Sequence, residues 1–224
     1  MNRLVEQAVA EVRSLEERVP PGKHIVTGDI RRLSARLYRE LGQKELRQVL
    51  ALCEELLVQR DWALGVIAFD WAHRVRARYD EGTYAVFFGW LKEYVRGWGA
   101  CDDFCTHAFG ELLRAQKALF PQVCRWTEDP GFWVRRAAAV VLLPSIGRDD
   151  YQGIDPYRIS DALLADPHPL VQKGYGWMLK CLSEKEPETV EQYLRRCHSA
   201  MPRTAFRYAL EKFSKETRRE LMAL

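Results

Sequence analysis

Asp129-Pro130-Gly131-Phe132-Trp133-Val134-Arg135-Arg136-Ala137-Ala138-Ala139-Val140-Val141-Leu142 recurs as Asp166-Pro167-His168-Pro169-Leu170-Val171-Gln172-Lys173-Gly174-Tyr175-Gly176-Trp177-Met178-Leu179, at a constant offset of 37 residues. In both copies Asp-Pro opens a helix, Val134/Val171 and Leu142/Leu179 hold core positions, and Arg136/Lys173 repeat a basic position. A period near 40 with two helices per unit marks a stack in which each helix pair buries its apolar face against the next. Small residues, Ala137, Ala138, Ala139, Gly174 and Gly176, let neighbouring helices approach closely. A third, degenerate copy begins at Met201-Pro202-Arg203-Thr204-Ala205-Phe206-Arg207-Tyr208-Ala209-Leu210.

Outward from the repeat, the rest of the chain has helical spacing and no segment with strand alternation. Residues 2–18 place Leu4, Ala8, Val12 and Leu15 on one face and stop before Pro20-Pro21-Gly22. Residues 29–41 combine apolar Ile30, Leu33 and Leu37 with a basic side of Arg31, Arg32, Arg36 and Arg39. Residues 43–60 and 61–79 form a closely joined pair, and 83–96 predicts a helix buried on most sides. The predicted fold is all-α, a HEAT-like α-solenoid of antiparallel helix pairs with a concave basic face, residues 1–224 forming a single domain.

With 47% hydrophobic and 29% charged residues, the chain belongs among globular proteins. The N-terminus carries acids where a signal peptide needs an apolar run, and no stretch approaches the ~18 apolar residues of a membrane span. The expectation is a cytoplasmic, monomeric protein that uses no membrane. Six scattered cysteines on apolar faces predict reduced core residues rather than a disulfide framework. A net charge of +3 does not define a polyanionic partner, so the distribution of charge must decide.

That distribution points to the repeat. Arg135, Arg136, Lys173, Arg203 and Arg207 occupy corresponding places in successive units, at helix starts where free N–H groups also favour phosphate. The competing reading of each is an ion pair with a carboxylate of the neighbouring unit. Trp177 stands where the preceding unit has Val140, a large ring in an aliphatic slot, and is either a core wedge or a groove wall.

Trp98-Gly99-Ala100-Cys101-Asp102-Asp103-Phe104-Cys105-Thr106 is the second informative stretch. On a helix Trp98 and Asp102 share a face and Asp103 points about 100° away. The apolar stripe Cys101, Phe104, Cys105, Ala108, Leu112 puts Asp102 on its border, half-buried but able to reach a groove. The alternative is that the aspartates simply occupy a first helical turn, where the macrodipole favours negative charge. Cys101, Cys105 and His107 have a metal-like spacing, but the cysteines lie on the core stripe, so no metal or other cofactor is expected. No phosphate-cradling glycine loop is present.

Four blocks together, 98–105, 133–138, 171–179 and 201–213, resemble the AlkD-type DNA alkylation repair glycosylases in order and spacing. The resemblance implies hydrolytic excision of cationic N-alkylated purines, such as 3-methyladenine and 7-methylguanine, from double-stranded DNA, in a cytoplasmic and nucleoid-associated setting. It implies a lesion site of Trp98, Asp102 and Trp177 with Arg136 anchoring a phosphate. The alkylated base already carries positive charge and leaves neutral, so no general acid is needed. Asp102 would stabilise the oxocarbenium-like sugar left behind, and the tryptophan faces would flank the cation. One departure is that the best-matching members place an aromatic residue over the site from an N-terminal helix, whereas residues 2–18 contain none and the first tyrosine is Tyr38. That departure leaves a second function class, a non-catalytic repeat module binding DNA structures or a protein.

Overall fold

A computed structural model describes residues 2–20 and 22–224. Among the described residues the regular structure is entirely helical, and no helix is long and apolar enough to cross a membrane. The chain divides into two compact units, 1–94 and 95–224.

The first unit contains α1 (Arg3–Glu17), α2 (Thr27–Glu40), α3 (Leu46–Leu57), α4 (Trp62–Arg74) and α5 (Thr83–Glu93). The stop after α1 falls partly on Pro21, outside the described residues. Helix α4 is the unit's core: Asp61 caps its start by accepting the Leu64 N–H, and Ala63, Leu64, Ile67, Ala68, Phe69, Trp71 and Ala72 are buried against α2 and α3. The predicted helix 61–79 stops early, with a 3₁₀ turn at Arg76–Arg78. Helix α5 corrects a second expectation. It buries one stripe, Thr83, Phe87, Trp90 and Leu91, while Ala85 and Gly89 are exposed, so it is amphipathic and not buried on most sides.

The second unit contains α6 (Trp98–Thr106), α7 (Ala108–Ala115), α8 (Phe120–Arg125), α9 (Phe132–Val140), α10 (Leu143–Gly147), α11 (Pro156–Leu163), α12 (Pro169–Leu182), α13 (Pro187–Cys197), α14 (Arg203–Ala209) and α15 (Lys215–Met222). Helices α6, α9, α12 and α14 pack each against the next. A second layer lies on this row, with α7 against α6 and α10, α11 against α9 and α12, and α13 against α12. The repeat is thus visible as physical layers, and its Asp-Pro start has a common cause. Asp129 Oδ1 accepts the Gly131 N–H and Asp166 Oδ1 accepts the His168 N–H, each at 2.8 Å, the same turn before α9 and before α12.

The predicted apolar stripe Cys101, Phe104, Cys105, Ala108, Leu112 is fully buried, but it runs over two helices. The break is at His107, whose φ and ψ of −122° and −94° leave the helical region. Side chains replace the missing backbone bonds: Thr106 Oγ1 donates to the Asp102 carbonyl at 2.7 Å and His107 Nδ1 lies 2.9 Å from the Asp103 carbonyl. The redirection seats Gly110 against α10, where an added Cβ would lie 2.5 Å from Pro144 Cγ.

Candidate functional site

Helix α6 begins at Trp98, whose side chain is 64% exposed although it is one of the largest apolar groups in the chain. One turn on, Asp102 is at the border of the buried face, its side chain 20% exposed. Helix α9 supplies Arg136, buried to 5% and therefore costly to leave unpaired. The two form a forked ion pair. Arg136 Nε donates to Asp102 Oδ1 at 2.9 Å, and Nη2 donates to Oδ1 at 2.7 Å and to Oδ2 at 2.8 Å. Nη1 donates to the Leu170 carbonyl of α12 at 2.5 Å, so one guanidinium ties three successive helices of the row together.

The structure places Arg136, expected as a phosphate anchor, against a carboxylate of its own chain. Its position on α9 faces α6 and α12 rather than solvent, and the nearest anion is the Asp102 carboxylate. What Arg136 does is orient that carboxylate. Oδ1 accepts two hydrogen bonds and Oδ2 one, which leaves about one acceptor site on Oδ2 unused. Burial pushes the Asp102 carboxyl above its ordinary pKa, and the charge and hydrogen bonds of Arg136 pull it back.

Gly174 makes this possible. A Cβ there would stand 3.2 Å from Arg136 Cγ and 3.4 Å from Nη1, so the glycine leaves room for the guanidinium between α9 and α12. Trp177 follows three residues later on α12, one turn along the same face, and is half-buried. Trp133, also half-buried, contributes its carbonyl, 3.8 Å from Cys101 Sγ.

Asp103 projects away from this pair, with Oδ1 3.3 Å from His107 Nδ1. Cys101 and Cys105 point into the core with no exposure, and burial raises the Cys105 thiol well above its ordinary value. Among the described residues, Cys101, Cys105 and His107 are not gathered into one cluster.

The remaining basic residues divide. Arg135 Nε donates to Asp166 Oδ2 at 2.6 Å, and its Nη1 donates to the carbonyls of Asp129 at 2.9 Å and Pro130 at 3.0 Å. It is the carboxylate-paired residue of the competing reading, and it clasps the turns ahead of two successive helices. Arg203 donates to the Met222 carbonyl at the end of α15. Lys173 Nζ lies 6.0 Å from the Tyr208 ring centre, and Arg207 is exposed. Sequence reasoning missed Gly174 as the seat of Arg136, the Leu170 carbonyl and the Asp166 partner. The one available signal was Gly174 standing in the repeat where the earlier unit has Ala137.

An all-helical chain with repeated layers, carrying an arginine-held carboxylate beside an exposed tryptophan, defines a class of helical-repeat protein built around a charged surface site. The chain belongs to the DNA alkylation repair enzyme family, whose model matches residues 24–213. Its fold is shared by a protein described as a predicted DNA alkylation repair enzyme from Enterococcus faecalis, at TM-score 0.70 and 18% identity over 93% of this chain and 96% of that one. It is also shared by AlkD2 from Streptococcus mutans, at TM-score 0.65 and 16% identity over 94% and 99%. Among curated proteins none matches the chain.

Proposed function

We propose that this DNA alkylation repair family member is a monofunctional glycosylase that hydrolyses the N-glycosidic bond of cationic N-alkylated purines, 3-methyladenine and 7-methylguanine, in duplex DNA. The observation that carries the reading is the Asp102 carboxylate, held in a fork by buried Arg136 on the face that also bears exposed Trp98. In the proposed reaction the C1′–N bond breaks and its electron pair leaves with the alkylated base, which departs neutral. The sugar is left as an oxocarbenium-like cation, water adds to C1′, and the water's proton passes to solvent or to Asp102. The open acceptor site on Asp102 Oδ2 is available to that cation or water, an interaction that strengthens as charge develops. Arg136 is a positioning residue that also helps keep Asp102 ionised despite its burial.

Trp98 and Trp177 are proposed to flank the cationic nucleotide, each contributing about 0.5–2 kcal/mol according to desolvation. The family model spans both compact units, which supports reading 1–224 as one functional domain. The alternative, a non-catalytic module binding DNA or a protein, is favoured by the absence of any aromatic residue in α1. Release of free base from methylated duplex DNA separates the two: release above the uncatalysed rate supports the glycosylase, and binding without release supports the module.

A further inference from the structure

The first unit holds a second buried carboxylate, Asp70 on α4, which is 6% exposed. It accepts from Ser34 Oγ at 2.5 Å, from Arg74 Nε at 2.8 Å and from Arg31 Nη1 at 3.3 Å. Arg31, Ser34 and Tyr38 lie at i, i+3 and i+7 on α2, so one face of that helix is laid over Asp70 and Arg74. The Trp71 indole donates to the Ser34 carbonyl at 3.2 Å and fixes the register between the two helices.

Packing accounts for Asp70, Arg31 and Ser34, but not for what surrounds Tyr38. The Arg74 guanidinium lies 5.2 Å from the Tyr38 ring centre and Lys44 Nζ lies 5.4 Å from it. Two cations drawn to one ring repel each other, and the single charge of Asp70 is shared with Arg31. Among the described residues Lys44 Nζ, Tyr38 Oη and both Nη groups of Arg74 have no hydrogen-bond or carboxylate partner. A half-buried tyrosine hydroxyl, an ammonium and the outer edge of a guanidinium therefore converge with donors unused and positive charge in excess. The guanidinium is already oriented from behind by a carboxylate, which lowers the ordering cost of binding.

We infer that Tyr38, Lys44 and Arg74 form an anion-binding clamp for one phosphodiester of a nucleic-acid backbone. A phosphodiester supplies one negative charge and two acceptor oxygens, which suits these donors. A carboxylate would satisfy the charge, but α4 already supplies one, Asp70. The inference rests on the nucleic-acid reading above and adds a contact in the first unit that takes no part in the proposed chemistry.

The test is the salt dependence of binding to an undamaged duplex oligonucleotide by the full chain. Lys44 sits in the loop after α2; its ammonium contacts the Tyr38 ring, and its carbonyl, which accepts from Arg78, is kept by a side-chain change, so Lys44→Gln is expected to fold normally. It should weaken binding and make the slope of log K against log salt shallower by about one unit. Lys44→Arg should restore the slope. Arg13→Gln, an exposed substitution on α1 with the same charge change, should leave it unaltered. If the wild type binds duplex but Lys44→Gln keeps its slope, or Arg13→Gln lowers it equally, the clamp is overturned and the nucleic-acid reading stands. If the wild type binds no duplex, both fall.

Discussion

Asp102 and Asp103 are adjacent and chemically identical, yet their surroundings give them different work. Asp102 faces Arg136 and the Trp98 side of α6, while Asp103 is turned to His107. Asp102→Asn should slow single-turnover release of 7-methylguanine by about 10²- to 10³-fold, the size of one strong transition-state electrostatic contact. Asp103→Asn should change it little, and a reversal of the two outcomes would remove Asp102 from the chemistry. The face shared by Trp98 and Asp102 could be read from their spacing of four. The partner could not, because Asp102 and Arg136 are 34 residues apart and only packing brings α6 to α9.

The same pair fixes a pH dependence. The proposed catalysis needs the carboxylate, so release should fall on acidification, and burial places that acid limb above the value of an ordinary aspartate, about 3.9. Arg136 opposes the shift, so Arg136→Gln should move the limb to higher pH as well as slow release by up to about 10²-fold through a misplaced carboxylate. A pH–rate profile of both proteins checks the direction, and a limb moving to lower pH would contradict the role given to Arg136. For stability the sign follows from linkage. A folded-state pKa above the unfolded one means proton binding favours the fold below about pH 3.9, and that contribution is lost as pH rises through the folded value.

At the scale of helices, two glycines of α12 separate packing from positioning. An added Cβ at Gly176 would meet the Ala205 carbonyl at 2.7 Å and Tyr208 Cβ at 2.8 Å, both too close to relax without moving α14. Overpacking of this kind costs about 1–3 kcal/mol, against a helix-propensity gain of about 1 kcal/mol for alanine over glycine. Gly176→Ala should therefore lower the melting temperature. At Gly174 the obstacle is milder, Arg136 Cγ at 3.2 Å, which must give by a few tenths of an ångström. Gly174→Ala should change stability by less than about 1 kcal/mol but reduce base release, because the shift disturbs the fork on Asp102. Equal effects of both substitutions on release, seen in parallel melting and kinetic measurements, would show that Gly174 only packs. The 37-residue repeat revealed these helices because core spacing is local. It did not reveal the break at His107, which depends on a histidine side chain taking over a backbone bond and on Gly110 meeting Pro144.

At the scale of the whole molecule, 34 basic and 31 acidic residues leave only +3, so affinity for a polyanion depends on which cations are already spent inside the fold. The five stripe residues lie on α9, α12 and α14, helices that pack each against the next, but their availability differs. Arg136 is buried on Asp102, Arg135 is paired with an Asp166 side chain only 5% exposed, and Arg203 is engaged with the end of α15. Lys173 and Arg207 remain. A sequence shows the register of such a stripe but not these internal pairings, since each carboxylate or carbonyl partner lies in another helix. If duplex DNA lies along this row, Lys173→Gln and Arg207→Gln should each make the salt slope of binding shallower by about one unit, and the double variant by about two. Arg135→Gln should leave the slope unchanged and lower thermal stability instead, because it unties Asp166 and the two turn carbonyls. Binding isotherms over a series of salt concentrations, with melting curves for each variant, decide between these outcomes. A shallower slope for Arg135→Gln with no loss of stability would mean that its ion pair opens on DNA and that the stripe carries three contacts. An unchanged slope for Lys173→Gln and Arg207→Gln together would remove this row of helices from the DNA interface.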